Sequence, residues 1–236
     1  MTALLRALGL VALLALAGCV GTPQPDPPNL APERLRVMGG ERGGSFLLIG
    51  DPGAAIASAP AEVLVANLDA PAMPVRIAPV AADGSFSIEL TTLAIDELRI
   101  WVRGADGERS APVDVLADPL GLAPAVRALL CLRVEPHDLV VLGTGAGSGA
   151  REVITLVNEC DEDVTVESVA LRAPVSGVEI EAAPTSVAAG ASAAIELRFL
   201  PDESAPAGLV EDVLLVTVAG DTERDRRAVI VAAEVR

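Results

Sequence analysis

The chain is 236 residues long and carries 33 Asp and Glu against 17 basic side chains, all of them Arg, for a formal net charge of -16. That balance excludes gripping nucleic acid, or an anionic membrane, through a basic patch, because both interactions draw their affinity from excess positive charge. Aromatic residues make up only 2%, with no Tyr, a single Trp (Trp101) and three Phe, which argues against a sugar platform of stacked rings. It leaves a core of Val, Leu, Ile and Ala that suits strands.

The amino end is an apolar run, residues 3–15, broken only by Arg6 and Gly9, that stops at Leu16-Ala17-Gly18-Cys19. The run is too short to span a bilayer as a permanent helix, and small residues before a cysteine give it the layout of a cleaved secretory signal. The four residues resemble the lipobox of bacterial lipoproteins. That resemblance implies a signal peptide at 1–18 and an acylated amino terminus at Cys19, bearing thioether-linked diacylglycerol and chains such as palmitate. Membrane contact would then run through the acyl chains on Cys19, since two or three chains anchor stably where one does not. Arg6 is the only side-chain cation of the n-region and sits just inside the apolar run, a small departure from the usual pattern. Val20 and Gly21 in place of Asp imply sorting to the outer membrane of the cell envelope. Residues 19–33 are Pro-rich and read as a semi-extended tether, because Pro fixes φ and removes backbone donors.

From 34 to 116 short apolar or alternating runs are punctuated by Gly, Pro, Asn and Asp, and strands are expected at 35–38, 45–49, 62–67, 75–79, 85–90, 97–103 and 112–116. Ala82-Asp83-Gly84 and Ala105-Asp106-Gly107 read as hairpin turns, since Gly accepts the positive φ that such turns demand. Seven short strands at this spacing indicate an antiparallel sandwich. The runs Ile49-Gly50-Asp51-Pro52-Gly53-Ala54, Ala82-Asp83-Gly84-Ser85-Phe86-Ser87 and Val102-Arg103-Gly104-Ala105-Asp106-Gly107 resemble the bacterial immunoglobulin-like repeats of surface proteins. Asp118-Pro119-Leu120-Gly121-Leu122-Ala123-Pro124 interrupts the pattern. Residues 117–130 are therefore expected to be a linker, with a short helical turn over 124–130.

From 131 to 236 a second set of strands is expected at 131–134, 139–142, 152–158, 164–171, 178–182, 193–200, 213–218 and 228–235. Leu132-Arg133-Val134-Glu135-Pro136, Leu139-Val140-Val141-Leu142-Gly143, Thr155-Leu156-Val157-Asn158-Glu159 and Leu197-Arg198-Phe199-Leu200-Pro201 resemble, in that order, the Hydin-type immunoglobulin-like domain related to major sperm protein. Leu142 departs from the Phe usual before Gly143. The fold class is thus all-β: two tandem immunoglobulin-like antiparallel β-sandwich domains after a lipoprotein signal and tether. With Cys19 assigned to lipid by its resemblance, Cys131 and Cys160 remain as an even pair in an oxidising compartment, and a disulfide is the simplest outcome. The Hydin-type resemblance implies that the strand after Cys131 runs antiparallel to the strand ending at Asn158, which brings the two cysteines within bonding range.

Motifs for chemistry are few. Gly145-Ala146-Gly147-Ser148-Gly149-Ala150 formally fits a dinucleotide fingerprint, but the following Glu152-Val153-Ile154-Thr155-Leu156-Val157 alternates like a strand where the phosphate site needs a helix. It reads as a turn, and no cofactor is expected. His137 is the sole histidine, so neither a paired His site nor a triad without it can form; it reads as an exposed loop residue. The acidic run Glu159-Cys160-Asp161-Glu162-Asp163 lacks the alternate spacing and Gly of a calcium loop. No catalytic or metal residue is expected, and the chain reads as a non-enzymatic, lipid-anchored envelope protein that contacts another envelope or surface protein. The alternative is a surface adhesin that binds calcium through the acidic run or a glycan near Trp101. Charge favours the carboxyl half for docking on a basic partner: 8 basic and 19 acidic residues in 131–236 give -11, against 7 and 11, or -4, in 34–116.

Overall fold

The computed structural model describes residues 27–39, 45–91, 96–118, 121–125, 127, 129–219 and 225–236. Cys19, the signal 1–18 and the first part of the tether lie outside the described residues. The rest is two immunoglobulin-like β-sandwiches, with no α-helix among the described residues.

The first sandwich contains β1 (Asn29–Leu30), β2 (Leu35–Gly39), β3 (Ser45–Gly50), β4 (Ala55–Ile56), β5 (Glu62–Asn67), β6 (Arg76–Pro79), β7 (Phe86–Thr91), β8 (Glu97–Arg103), β9 (Val113–Asp118) and β10 (Gly121–Pro124). A three-stranded sheet ordered β2-β3-β7 faces a five-stranded sheet ordered β10-β9-β8-β5-β6, and β1 pairs with β4 alongside. Leu48, Val63, Ile88, Ile100 and Val102 fill the space between.

The second sandwich contains β11 (Leu132–Glu135), β12 (Leu139–Thr144), β13 (Ala150–Asn158), β14 (Val164–Leu171), β15 (Val178–Ala182), β16 (Ser186–Val187), β17 (Ser192–Phe199), β18 (Gly208–Val218) and β19 (Arg226–Val235). Its sheets are β11-β13-β17-β15 and β12-β19-β18-β14-β16. All its pairings are antiparallel except β12 with β19, which run parallel. Leu142, Ile154, Leu156, Ile195, Leu197 and Val229 form its core.

Every strand expected from the sequence appears, most within two residues of its expected ends; β18 starts at Gly208 and not at 213. The unexpected strands β1, β4 and β16 have two residues each, too short for an alternation to show. Pro28 and Leu30 are buried and β1 is paired, so the end of the expected tether is part of the sandwich and not a free spacer. In the expected linker, Gly121–Pro124 is strand β10, paired with β9 in the register Leu122↔Ala117 and Pro124↔Val115. Pro124 therefore closes a hairpin and begins no helical turn: as an edge residue it needs no ladder donor.

The Asp-Gly turns divide. At Ala105-Asp106-Gly107 the flanking β8 and β9 do pair, with Ile100↔Val113 in register, and Gly107 has φ 82°. At Ala82-Asp83-Gly84 the turn forms, with Gly84 at φ 81° and the Ser85 N–H donating to Asp83 Oδ1 at 3.0 Å. Yet β6 joins β5 and β7 joins β3 in the opposite sheet. The local chemistry specified the reversal and the apolar pattern decided which sheet each strand entered.

Candidate functional site

Burial along four strands leads to the most heavily built region. In β5, Val63 and Val65 enter the first core, while Leu64 and Ala66 point the other way. In β8, Leu98, Ile100 and Val102 likewise face inward and Trp101 faces out. What the outward residues meet is the second sandwich: Leu64, Ala66, Leu68 and Trp101 pack against Val213, Ala228 and Ile230 of β18 and β19. The two five-stranded sheets are thus packed face to face, and Trp101 is 0% exposed. A ring so enclosed cannot itself stack on a sugar.

Arginines and carboxylates ring this seam. Glu97, 1% exposed, accepts from Arg226 Nε at 2.8 Å and from Arg127. Arg226 also donates to Asp69 Oδ1 at 3.0 Å and the Leu68 carbonyl at 3.2 Å. Arg99 forks onto Asp114 at 2.8 and 2.9 Å and donates to the Ala228 carbonyl across the seam. Arg103 bridges Glu62 and Glu211 at 2.6 and 2.8 Å, and Arg109 joins Glu211. At the other end Arg172 forks onto Asp212 at 2.8 and 2.9 Å and reaches the Ala70 and Met73 carbonyls of the first sandwich. Burial by itself would raise the Asp114 carboxyl; the Arg99 fork and the Arg127 charge outweigh it and hold the group below its ordinary value. Each charge is neutralised by a fixed partner, which suits a joint.

The residues singled out in the sequence sit apart from one another. Cys131 and Cys160 form a disulfide with Cα atoms 5.0 Å apart, just beyond the paired residues Leu132↔Asn158 that bring them together. It closes the segment leading into β11, where the Leu129 N–H donates to Asp225 Oδ2 at 2.8 Å and Arg227 donates to the Leu132 carbonyl at 3.1 Å. The acidic run beyond β13 is organised by the buried Asn158, whose amide donates to the Glu162, Val187 and Ala188 carbonyls at 2.9, 2.9 and 3.1 Å. Asp163 Oδ1 accepts from the Ala189 N–H at 2.9 Å and Glu159 faces Arg133. Among the described residues no group of three or more His, Cys, Asp and Glu is set to hold a metal. His137 is exposed between β11 and β12, with Nε2 2.9 Å from Asp138 Oδ1. Of the stretch 145–150, residues 145–149 connect β12 to β13 and Ala150 opens β13, so a strand follows where the fingerprint needs a helix.

One surface feature escaped the sequence reading. At the end of the second sandwich farthest along β18 from its turn to β19, an apolar cleft of about 400 Å³ opens among Val175, Phe199, Leu209, Val210, Ala233 and Val235. The exposed Leu200 stands nearby. The uninterrupted apolar stretches 63–66 of β5, 100–102 of β8, 213–216 of β18 and 228–233 of β19 are the signal for the seam, because a strand buried on both faces does not alternate. The cleft had no comparable signal, since it depends on where β14 ends.

No protein-family model matches the chain, and no curated protein does. Among solved structures it is similar, over 48% of its length and 94% of the other chain, to a PapD-like (ASH) domain of human CEP192, at 11% identity and a TM-score of 0.38. A protein of unknown function from Porphyromonas gingivalis W83 is similar over 89% of this chain and 100% of that one, at 14% identity and a TM-score of 0.36. WR4, an MSP family member of C. elegans, is similar over 45% of this chain and 98% of that one, at 14% identity and a TM-score of 0.30.

Proposed function

We propose that the chain is a non-enzymatic, lipid-anchored envelope protein that works by protein contact, holding two β-sandwiches in a fixed mutual arrangement. The observation that carries this reading is the seam: seven arginines and their carboxylates hold sandwich to sandwich or secure the segment between them around a buried Trp101. Ionisable groups committed in this way build a frame, and frames serve to present surfaces at set distances. The envelope location rests on Leu16-Ala17-Gly18-Cys19, whose cysteine would carry the acyl chains.

The test has two arms. Metabolic labelling with an alkyne fatty acid should tag the full chain in its host and fail for Cys19→Ala, which should leave the membrane fraction. In-cell photocrosslinking from positions spread over the outer sheets should capture a protein partner; a chain that is unlabelled and freely diffusing, and captures nothing, ends the proposal.

A further inference from the structure

The cleft of the second sandwich is where its interior meets solvent, and the cause lies in strand pairing. β14 runs beside β18 only as far as Leu171↔Leu214. β18 continues, with Gly208↔Val235 through Val213↔Ile230, paired to β19 on one side. The Val213 carbonyl accepts from the Arg172 N–H at 2.7 Å on the side where β14 lies. Because successive residues of a strand point their N–H and C=O groups to opposite sides, Glu211 and Leu209 aim theirs the same way, past the end of β14. A short strand edge that β14 does not pair therefore borders the cleft, open at Leu209 and Val210, which are 40% and 55% exposed, and closed at Glu211, which is 9% exposed.

We propose that this edge and cleft receive an extended, apolar segment of a partner protein flanked by Arg or Lys, which adds to β18 as a strand and drops side chains against Phe199 and Val175. The proposal rests on the protein-contact reading and names its surface. Charge selects the occupant: Asp202 is the one charged residue among the described residues of the lining, in a half of the chain with 8 basic and 19 acidic residues and a whole of net charge -16. A second copy would bring the same negative charge to the same place, which opposes self-association. A fatty acyl chain would fill the cleft but offer nothing to the edge N–H and C=O groups, which a peptide backbone pairs.

The test uses the full chain in phospholipid nanodiscs and three peptides of equal length: alternating Val and Thr flanked by Arg, the same core flanked by Glu, and an Arg-flanked Gly-Ser control. The Arg-flanked Val-Thr peptide should bind and slow amide exchange at Leu209, with affinity about tenfold above that of the other two. Val210→Asp should weaken it about tenfold or more, Asp202→Asn should narrow the preference for Arg over Glu, and Val141→Asp on β12 should leave binding unchanged. Absence of binding, protection elsewhere on the body, equal binding of the Glu-flanked peptide, or occupancy by added palmitate in place of the peptide overturns the proposal. If the crosslinking arm above captures a partner while these peptides fail, the cleft is wrong and the contact reading stands; if both fail, the contact reading falls with it.

Discussion

Trp101 shows at the level of one residue how the seam trades polarity for packing. Its ring is wholly enclosed, yet its Nε1 has no hydrogen-bond partner among the described residues, and an unmet buried donor costs about 1–3 kcal/mol. Replacing it with Phe removes that penalty along with some contact area, so Trp101→Phe should stay within about 1 kcal/mol of the native chain, whereas Trp101→Ala should lose about 3–5 kcal/mol. Urea unfolding followed by circular dichroism checks both. Asp114 supplies a second case, with a sign fixed by its depressed pKa. A carboxyl that holds its proton less tightly when folded contributes stability that is complete above its ordinary value of 3.8 and is lost as pH falls through its lower folded value. Asp114→Asn should therefore destabilise strongly at pH 7, and the difference from the native chain should shrink steadily below pH 3.8, as thermal melts across an acid series would reveal.

Among the elements, β5 and β8 carry a lesson about what a sequence discloses. Their bounds are legible, because Val63-Leu64-Val65-Ala66 is an apolar run between Glu62 and Asn67, and Ile100-Trp101-Val102 is one between Arg99 and Arg103. Their lack of alternation also announces burial on both faces, but not what covers the second face. β18 was legible only from Val213, since Glu211 and Asp212 interrupt the apolar run; both are buried in the strand because Arg103, Arg109 and Arg172 meet them. Pairings between residues 40 to 108 positions apart leave no local trace. Removing one member exposes its worth: Arg226→Met should cost about 3 kcal/mol, since Asp69 and Glu97 lose their shared cation while Arg127 still faces Glu97. Paired replacement by apolar residues of similar volume should recover most of the loss, as a double-mutant cycle would measure. The disulfide was legible from cysteine arithmetic and from the strand order of the resemblance. Its ends are 29 residues apart, so Cys131→Ser with Cys160→Ser should lower stability by about 3–4 kcal/mol in the chain-entropy model.

Taken whole, the molecule contradicts the picture of two beads on a string that its Pro-rich punctuation invites. Strands β5, β8, β18 and β19 each serve two cores at once, alternate residues facing their own sandwich and the neighbour. Opening the seam would bare Leu64, Trp101, Val213 and Ile230 together with Glu97, Arg226 and Arg99, so neither the hydrophobic nor the ionic part can yield alone. Burial of apolar area at about 25 cal/mol per Å² favours closure, and the unpaired charges left by separation add several kcal/mol against opening. The two sandwiches should consequently unfold in one transition, with calorimetric and van't Hoff enthalpies in agreement for the full chain. Weakening the seam by Trp101→Ala together with Arg226→Met should split that transition in two, because each sandwich retains its own core of Leu, Ile and Val. Two transitions in the native chain, unchanged by these substitutions, would mean that the sandwiches are thermodynamically independent and that the seam contributes contact without coupling.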